Sequence, residues 1–135
     1  MGRKCLAKIE GDKVQDLTVE SGRIKINMKA ISIGQDLCVI VTGGNSPHIG
    51  CVTLSVPRPS LADVNVSSAT TSVLNLLGHK DDEAARYVSH VLSSKLNRNV
   101  VVTCGIHVDH ITAEEIKLTI ELVKRLTDTL IQKYI

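Results

Sequence analysis

Two apolar runs lie in the part of the chain that carries the fewest charges. Leu37-Cys38-Val39-Ile40-Val41-Thr42 is one, and most of Ile49-Gly50-Cys51-Val52-Thr53-Leu54-Ser55-Val56 is the other. Between residues 36 and 77 only Asp36, Arg58 and Asp63 are charged. A strand with water on one side alternates apolar and polar residues, whereas a continuous apolar run of this length indicates a strand covered on both faces. The uncharged middle is therefore the expected centre of the fold, the wall of a site, or both.

The flanking segments read differently. Asp16-Leu17-Thr18-Val19-Glu20 alternates, and Arg23-Ile24-Lys25-Ile26-Asn27-Met28-Lys29 alternates strictly. Period two puts one face in water and buries the other. Ser21-Gly22 between them is a turn signal, so the two runs are expected to form a hairpin with Arg23, Lys25 and Lys29 on its outer face. Pro57-Arg58-Pro59 ends the second apolar run. A neutral polar segment, Asn65 to Ser72, and a short apolar patch, Val73 to Leu77, follow.

Two helices are expected after that. The first begins near Asp81-Asp82-Glu83, where acidic residues suit the positive end of a helix dipole, and runs to about Leu96. Ala85, Val88, Val91, Leu92 and Leu96 form its apolar stripe, and Asn97 is its stop. A strand from Asn99 to Val108 comes next. The last helix opens at Thr112 with Glu115 three residues on, the spacing of a capping box, and runs to about Lys133. Ile116, Ile120, Val123, Leu126 and Leu130 are expected on its inner side. The chain thus reads as an α+β domain: antiparallel strands first, then a helix, a central strand and a final helix, with the helices on one side of the sheet.

Composition narrows the function. The 135 residues are 43% hydrophobic and 22% charged with a net charge of +2, which suits one globular domain over 1–135. That balance does not predict nucleic-acid binding. Tyr87 and Tyr134 are the only aromatics, so a base-stacking platform is nearly excluded and the core must be aliphatic. No run reaches the ~18 apolar residues of a membrane span, and Met1 to Cys5 lead into no secretory signal. Cys5, Cys38, Cys51 and Cys104 are scattered with no CxxC pair, which reads as reduced thiols in a cytoplasmic protein.

Three segments could carry chemistry. Thr42-Gly43-Gly44-Asn45-Ser46-Pro47-His48-Ile49-Gly50 joins the two apolar runs; its paired glycines can aim backbone N–H groups at an anion, although an ordinary long hairpin loop is the plain alternative. Gly78-His79-Lys80-Asp81-Asp82-Glu83 sets a His and a Lys before a helix N-terminus, a place for an anion, while its three acids suit helix capping. His107-Val108-Asp109-His110 follows the last strand; His107 and Asp109 project the same way in extended chain, and could ligate a metal or simply end a strand. No Walker loop, dinucleotide fingerprint, Gly-x-Ser-x-Gly elbow or His-Glu-x-x-His is present. Catalytic machinery is poor, and the polar loops suit holding a ligand better than transforming one.

Together Gly43–Gly50, Leu77–Glu83 and Arg98–Thr112 resemble the LpdD-like prenylated-flavin chaperones, the small proteins that accompany UbiD-type hydroxyarylic acid decarboxylases. The likeness covers most of residues 35–120. It implies a non-catalytic carrier of prenylated flavin mononucleotide (prFMN, with FMN as a related ligand) that works between a flavin prenyltransferase and the decarboxylase. It also implies a fold like that of proteasome assembly chaperones, with a β-sandwich-like sheet, two helices and a homodimer. On this resemblance Gly43, Gly44, Ser46 and His48 line the site, with Gly44, Ser46 and His48 holding phosphate. His79 and Lys80 supply positive charge, and His107 and Asp109 meet the ring edge or a bridging metal ion, though no resident metal is predicted. Two other classes stay open: an assembly scaffold without flavin, and a small metal enzyme using His48, His107, Asp109 and His110.

Overall fold

The structure, a computed structural model, describes residues 14–76 and 81–135. The elements in chain order are β1 (Val14–Ser21), β2 (Ile24–Ile33), β3 (Asp36–Gly44), β4 (Cys51–Pro59), β5 (Ser67–Asn75), α1 (Asp82–Leu96), β6 (Val100–His107) and α2 (Ala113–Gln132). The strands make one six-stranded sheet in the order β1-β2-β3-β6-β4-β5. All neighbours are antiparallel except β3 and β6, which are parallel.

The β1–β2 hairpin turns at Gly22, whose φ of 58° lies in the left-handed region open to glycine. In β2 the residues Ile24, Ile26, Met28 and Ala30 are buried and their neighbours face outward, as strict alternation dictates. The register carries the same buried face across the sheet from Ala30 to Val39 to Val102 to Thr53. Both helices lie on that face: α1 over β4, β5 and β6, and α2 over β1 and β2 and beside α1.

Burial along α1 recurs at Ala85, Val88 and Leu92, and Asn97 closes the helix in the left-handed conformation at φ 55°. Thr112 and Glu115 form the capping box of α2 in both directions. Where α1 crosses β4 the contact is made by small polar side chains. Thr53 Oγ1 lies 3.2 Å from the Ala85 carbonyl and 2.9 Å from Ser89 Oγ, so that its single proton serves one of them while its oxygen can accept from Ser89, and Ser55 Oγ lies 2.8 Å from the same Ser89 oxygen. Small side chains let helix and strand approach closely, and the hydroxyls of Thr53, Ser55 and Ser89 satisfy one another there.

Two features depart from the pattern read along the sequence. The polar segment around Ser67–Ser72 is part of a strand, β5, at the sheet edge. On the face toward the helix layer the strand carries Ala69, which is buried, and Val73, which packs against the core, with Thr71 between them. The other is the connection from β3 to β4, which is no hairpin. The two strands are separated by β6, so residues 45–50 must cross the end of β6.

Candidate functional site

That crossing builds the site. β3 and β6 are parallel and end side by side, with Gly44 opposite His107. A ligand site in sheets with parallel neighbours commonly lies beyond strand carboxyl ends, where connections part in different directions. Here the β3 exit turns across β6 toward β4, while the β6 exit turns away into α2.

Glycines permit the crossing. A side chain on Gly105 would run into the backbone carbonyl of His48, one on Gly50 would meet the Asp81 carboxylate, and one on Gly44 would meet the His107 carbonyl. Gly44 also has a φ of 76°. Backbone bonds then seat the loop: Asn45 N–H donates to the His107 carbonyl at 2.6 Å and Gly50 N–H to the Cys104 carbonyl at 2.9 Å. Asn45 Oδ1 accepts the Asp109 N–H at 2.9 Å, tying the loop to the start of the next one.

Asp81 joins the third segment. It occupies the N-cap position of α1 but makes no side-chain cap bond. Its Oδ1 accepts the Ile106 N–H at 3.1 Å, and its Oδ2 lies 3.3 Å from His48 Nε2, an ion pair when the imidazole is protonated. The other imidazole nitrogen, Nδ1, is 2.9 Å from the Ser46 carbonyl and donates to it. The acidic cluster therefore does more than cap: its first carboxylate is spent on β6 and on the crossing loop.

These contacts border a cavity of about 440 Å³. One wall is aliphatic, from Ile106 of β6, Ile111 of the following loop and Ile116 and Ile120 of α2. His48 and His107 stand at its edge, and Asp81, Glu83, Ala84 and Thr119 complete it. The loop from Val108 to Thr112 is anchored from outside by Arg23, which bonds both Glu115 oxygens at 2.8 and 2.9 Å and reaches the His110 carbonyl at 3.3 Å. That guanidinium holds the Glu115 carboxyl down at about 2, well below the usual carboxylate range. Beneath the cavity Cys51 and Cys104 face each other across β4 and β6. Burial pushes both thiols up, so they remain protonated at neutral pH.

Of the residues singled out from the sequence, His48 and His107 line the cavity. Asp109 is at its margin, 3.0 Å from His107 Nε2 through Oδ1. Gly43 and Gly44 do not line it: Gly43 packs on Ile26 and Gly44 on the backbone at His107. Ser46 is exposed and contributes its carbonyl to His48. His79 and Lys80 lie outside the described residues. Sequence reading missed Glu83, Ala84 and Thr119, and it placed Ile116 and Ile120 in the core. Ile116 is 50% exposed and faces the cavity, because Leu122, Val123, Leu126 and Leu130 already supply the buried stripe of α2. An isoleucine at the helix start beyond the required stripe was the available signal. Among the described residues no three of His, Cys, Asp and Glu gather as a metal-binding group, so the set His48, His107, Asp109 and His110 is not assembled.

A sheet of this order with both helices on one face defines the class. The fold is that of the proteasome assembly chaperones: a chain from a crystal structure of a chaperone complex for yeast 20S proteasome assembly superposes with a TM-score of 0.53 at 16% identity, covering 90% of this chain and 98% of that one. The chain belongs to the prenylated flavin chaperone LpdD-like domain family, whose model matches residues 20–135. Protein LpdD of Lactiplantibacillus plantarum is 33% identical over 84 residues, 62% of this chain and 58% of that protein. The match thus spans little more than half of the curated relative. No helix among the described residues is long and apolar enough to cross a membrane.

Proposed function

We propose that this protein is a non-catalytic, cytoplasmic carrier of prenylated FMN, taking it from a flavin prenyltransferase and passing it to a UbiD-type decarboxylase, and that it works as a homodimer. The observation that carries the reading is the isoleucine-walled cavity where the 45–50 crossing loop, the end of β6 and the start of α1 meet, inside the span that the family model matches. The chemistry of the wall fits an uncharged fused ring system. Burying ~200 Å² of ring against it contributes roughly 5 kcal/mol at ~25 cal/mol per Å². With polar contacts from His48 and His107 this supports an affinity near micromolar, about 8 kcal/mol, tight enough to guard the cofactor and weak enough to release it.

Asp81 and Glu83 do not suit a phosphate inside the cavity, since two carboxylates repel a dianion across low-dielectric space. In this reading the ring enters and the phosphate stays at the mouth. There His107 and the loop backbone at Gly44–Ser46 are the nearest candidates to meet it, with His79 and Lys80 as the proposed source of positive charge.

The test is optical. The protein is co-expressed with a flavin prenyltransferase, purified without added flavin and scanned in oxidised and reduced states. A flavin absorbance approaching one equivalent per chain is the expected result. Colourless protein in every redox state overturns the carrier reading in favour of a scaffold.

A further inference from the structure

One edge of the sheet is bare. β5 pairs with β4 on one side, and among the described residues no strand pairs with it on the other. In an antiparallel ladder the bonded pairs alternate with unbonded ones. Leu76 N–H donates to the Gly50 carbonyl at 3.0 Å, so the register puts Leu74, Ser72, Thr70 and Ser68 in bonded pairs with β4. The β4 prolines agree: Pro57 and Pro59, with no N–H to give, stand opposite Ala69 and Ser67, in the unbonded set. Ser67, Ala69, Thr71, Val73 and Asn75 therefore turn their N–H and C=O groups outward. Nothing in the strand discourages pairing there. Edge strands are usually blunted by a charge, a proline or a bulge. β5 holds no charged residue and no proline, and its register with β4 runs without a break. The opposite edge strand, β1, carries Asp16 and Glu20.

We propose that β5 pairs with β5 of a second copy, antiparallel about a twofold axis that passes through the Thr71 pair normal to the sheet, so that two sheets join edge to edge. The pairing stands independently of the flavin reading.

Three features select a second copy. Self-complementarity is the first. With Thr71 opposite Thr71, Ala69 meets the second copy's Val73 and Ser67 meets its Asn75, so every outward backbone group falls in a bonded pair. Ala69, Thr71 and Val73 face the helix layer, and small against large continues the floor beneath α1. Spacing is the second. α1 is bonded to both outer strands, to β4 through Ser89 and to β5 through the Ser94 carbonyl, which accepts from Ser67 Oγ at 2.7 Å. Its axis thus lies above β4 and β5, and strands ~4.8 Å apart bring the two α1 axes to ~10 Å, the distance of packed helices. The bond from Ser67 to Ser94 also shows that α1 runs antiparallel to β5, so the start of one α1 lies beside the end of the other. Asp82 and Arg86, paired at 3.5 Å, then meet the neutral Ser94–Asn97 end rather than their own like. Area is the third. A strand ~30 Å long under a sheet-and-helix thickness of ~20 Å gives roughly 600 Å² a side, about 1,200 Å² in all, the lower bound of specific interfaces.

The test uses the full chain without flavin, its mass read by light scattering from about 1 to about 200 µM. Thr70 and Ser72 are exposed, on the side of β5 away from the helices, and the register sets each opposite the other across the axis. Thr70→Glu with Ser72→Glu places like charges opposite each other twice, and should weaken the contact at least ~10-fold and halve the mass. Thr70→Glu with Ser72→Lys places opposite charges there and should keep the wild-type mass. Both keep an acceptor at residue 70 for Arg58, so melting temperatures at the lowest concentration should match wild type. The factor of two is the same whatever other contacts the chain makes. A positive readout is independent of disruption: mixed Thr70→Cys and Ser72→Cys proteins should form a disulfide between residues 70 and 72 under mild oxidation, found by peptide mapping and absent from either protein alone. Equal masses of wild type and the doubly acidic variant overturn the pairing, and so does a missing cross-link. Equal weakening by both charged variants overturns the Thr71 register. Each of these outcomes leaves the flavin reading standing.

Discussion

Asp81 accepts the Ile106 N–H at 3.1 Å from the start of α1, and so a helix N-cap residue is bonded to the end of a strand instead of to its own helix. The second oxygen of the same carboxylate faces His48. One side chain thereby fixes α1, β6 and the crossing loop relative to each other, and the shape of the cavity follows from it. Asp81→Ala removes the acceptor and leaves the Ile106 N–H without its partner, for which ~2 kcal/mol of destabilisation is expected. Asp81→Asn keeps an acceptor and should lose less than half of that. Urea unfolding of the three proteins checks the order, and an Ala variant as stable as wild type would mean that the carboxylate holds nothing together.

Gly105 and Gly22 separate the two reasons a chain uses glycine. At Gly105 an added methyl meets the His48 backbone carbonyl, which cannot rotate aside. Gly105→Ala should therefore displace the crossing loop and cost about 3 kcal/mol or more. At Gly22 the space is empty and only the φ of 58° resists, so Gly22→Ala should cost ~1 kcal/mol. Thermal melts of the pair give the comparison. Equal losses would show that the loop yields easily and that the close packing at Gly105 is incidental.

The bond from Arg23 to Glu115 gives the fold an acid limit. The folded carboxyl is held at about 2 against an ordinary value of 4.5, with the Arg23 hydrogen bond as the main cause. A depressed folded value means the unfolded chain takes up the proton first as pH falls. The stabilisation is fully present above 4.5 and drains away between 4.5 and about 2. Glu115→Gln retains a side chain able to complete the capping box but has no charge for Arg23. The variant should melt below wild type at pH 7, and the gap should close steadily below pH 4.5. A gap that stays constant to pH 2 would assign the effect to geometry rather than to charge.

Much of this architecture was legible in the residues. Strict alternation gave β2, the Thr112–Glu115 spacing gave the start of α2, and Asn97 gave the end of α1, because each is set by contacts within a few residues. The order of the sheet was not legible. Nothing local distinguishes a loop that turns back from one that crosses over a strand inserted later in the chain, and β6 arrives more than forty residues after the loop it separates. β5 was hidden for a related reason: an edge strand buries so little that Ser and Thr suffice. For the site, His48 and His107 were legible as polar residues at the ends of apolar runs. Ile116 was not, since helical period alone assigns every apolar residue on one side to the core, and only the filled stripe behind it shows that this one is surplus.

That surplus isoleucine gives the sharpest test of the ring-binding wall. Ile116 is half exposed, so its replacement leaves the core intact. Ile116→Glu adds a third carboxylate beside Asp81 and Glu83 and removes apolar surface, and the affinity for flavin should fall at least ~10-fold, about 1.4 kcal/mol, with the melting temperature nearly constant. Ile116→Leu restores the surface and should bind like wild type. Ile116→Lys separates the two contributions: it loses the same apolar contact, but its charge attracts the phosphate at the mouth, so it should bind more tightly than the Glu variant and more weakly than wild type. Fluorescence titration with FMN gives the ranking, and melting curves report the fold independently. If Glu and Leu variants bind alike, the ring does not lie on this wall, and the isoleucines of the cavity serve some other contact.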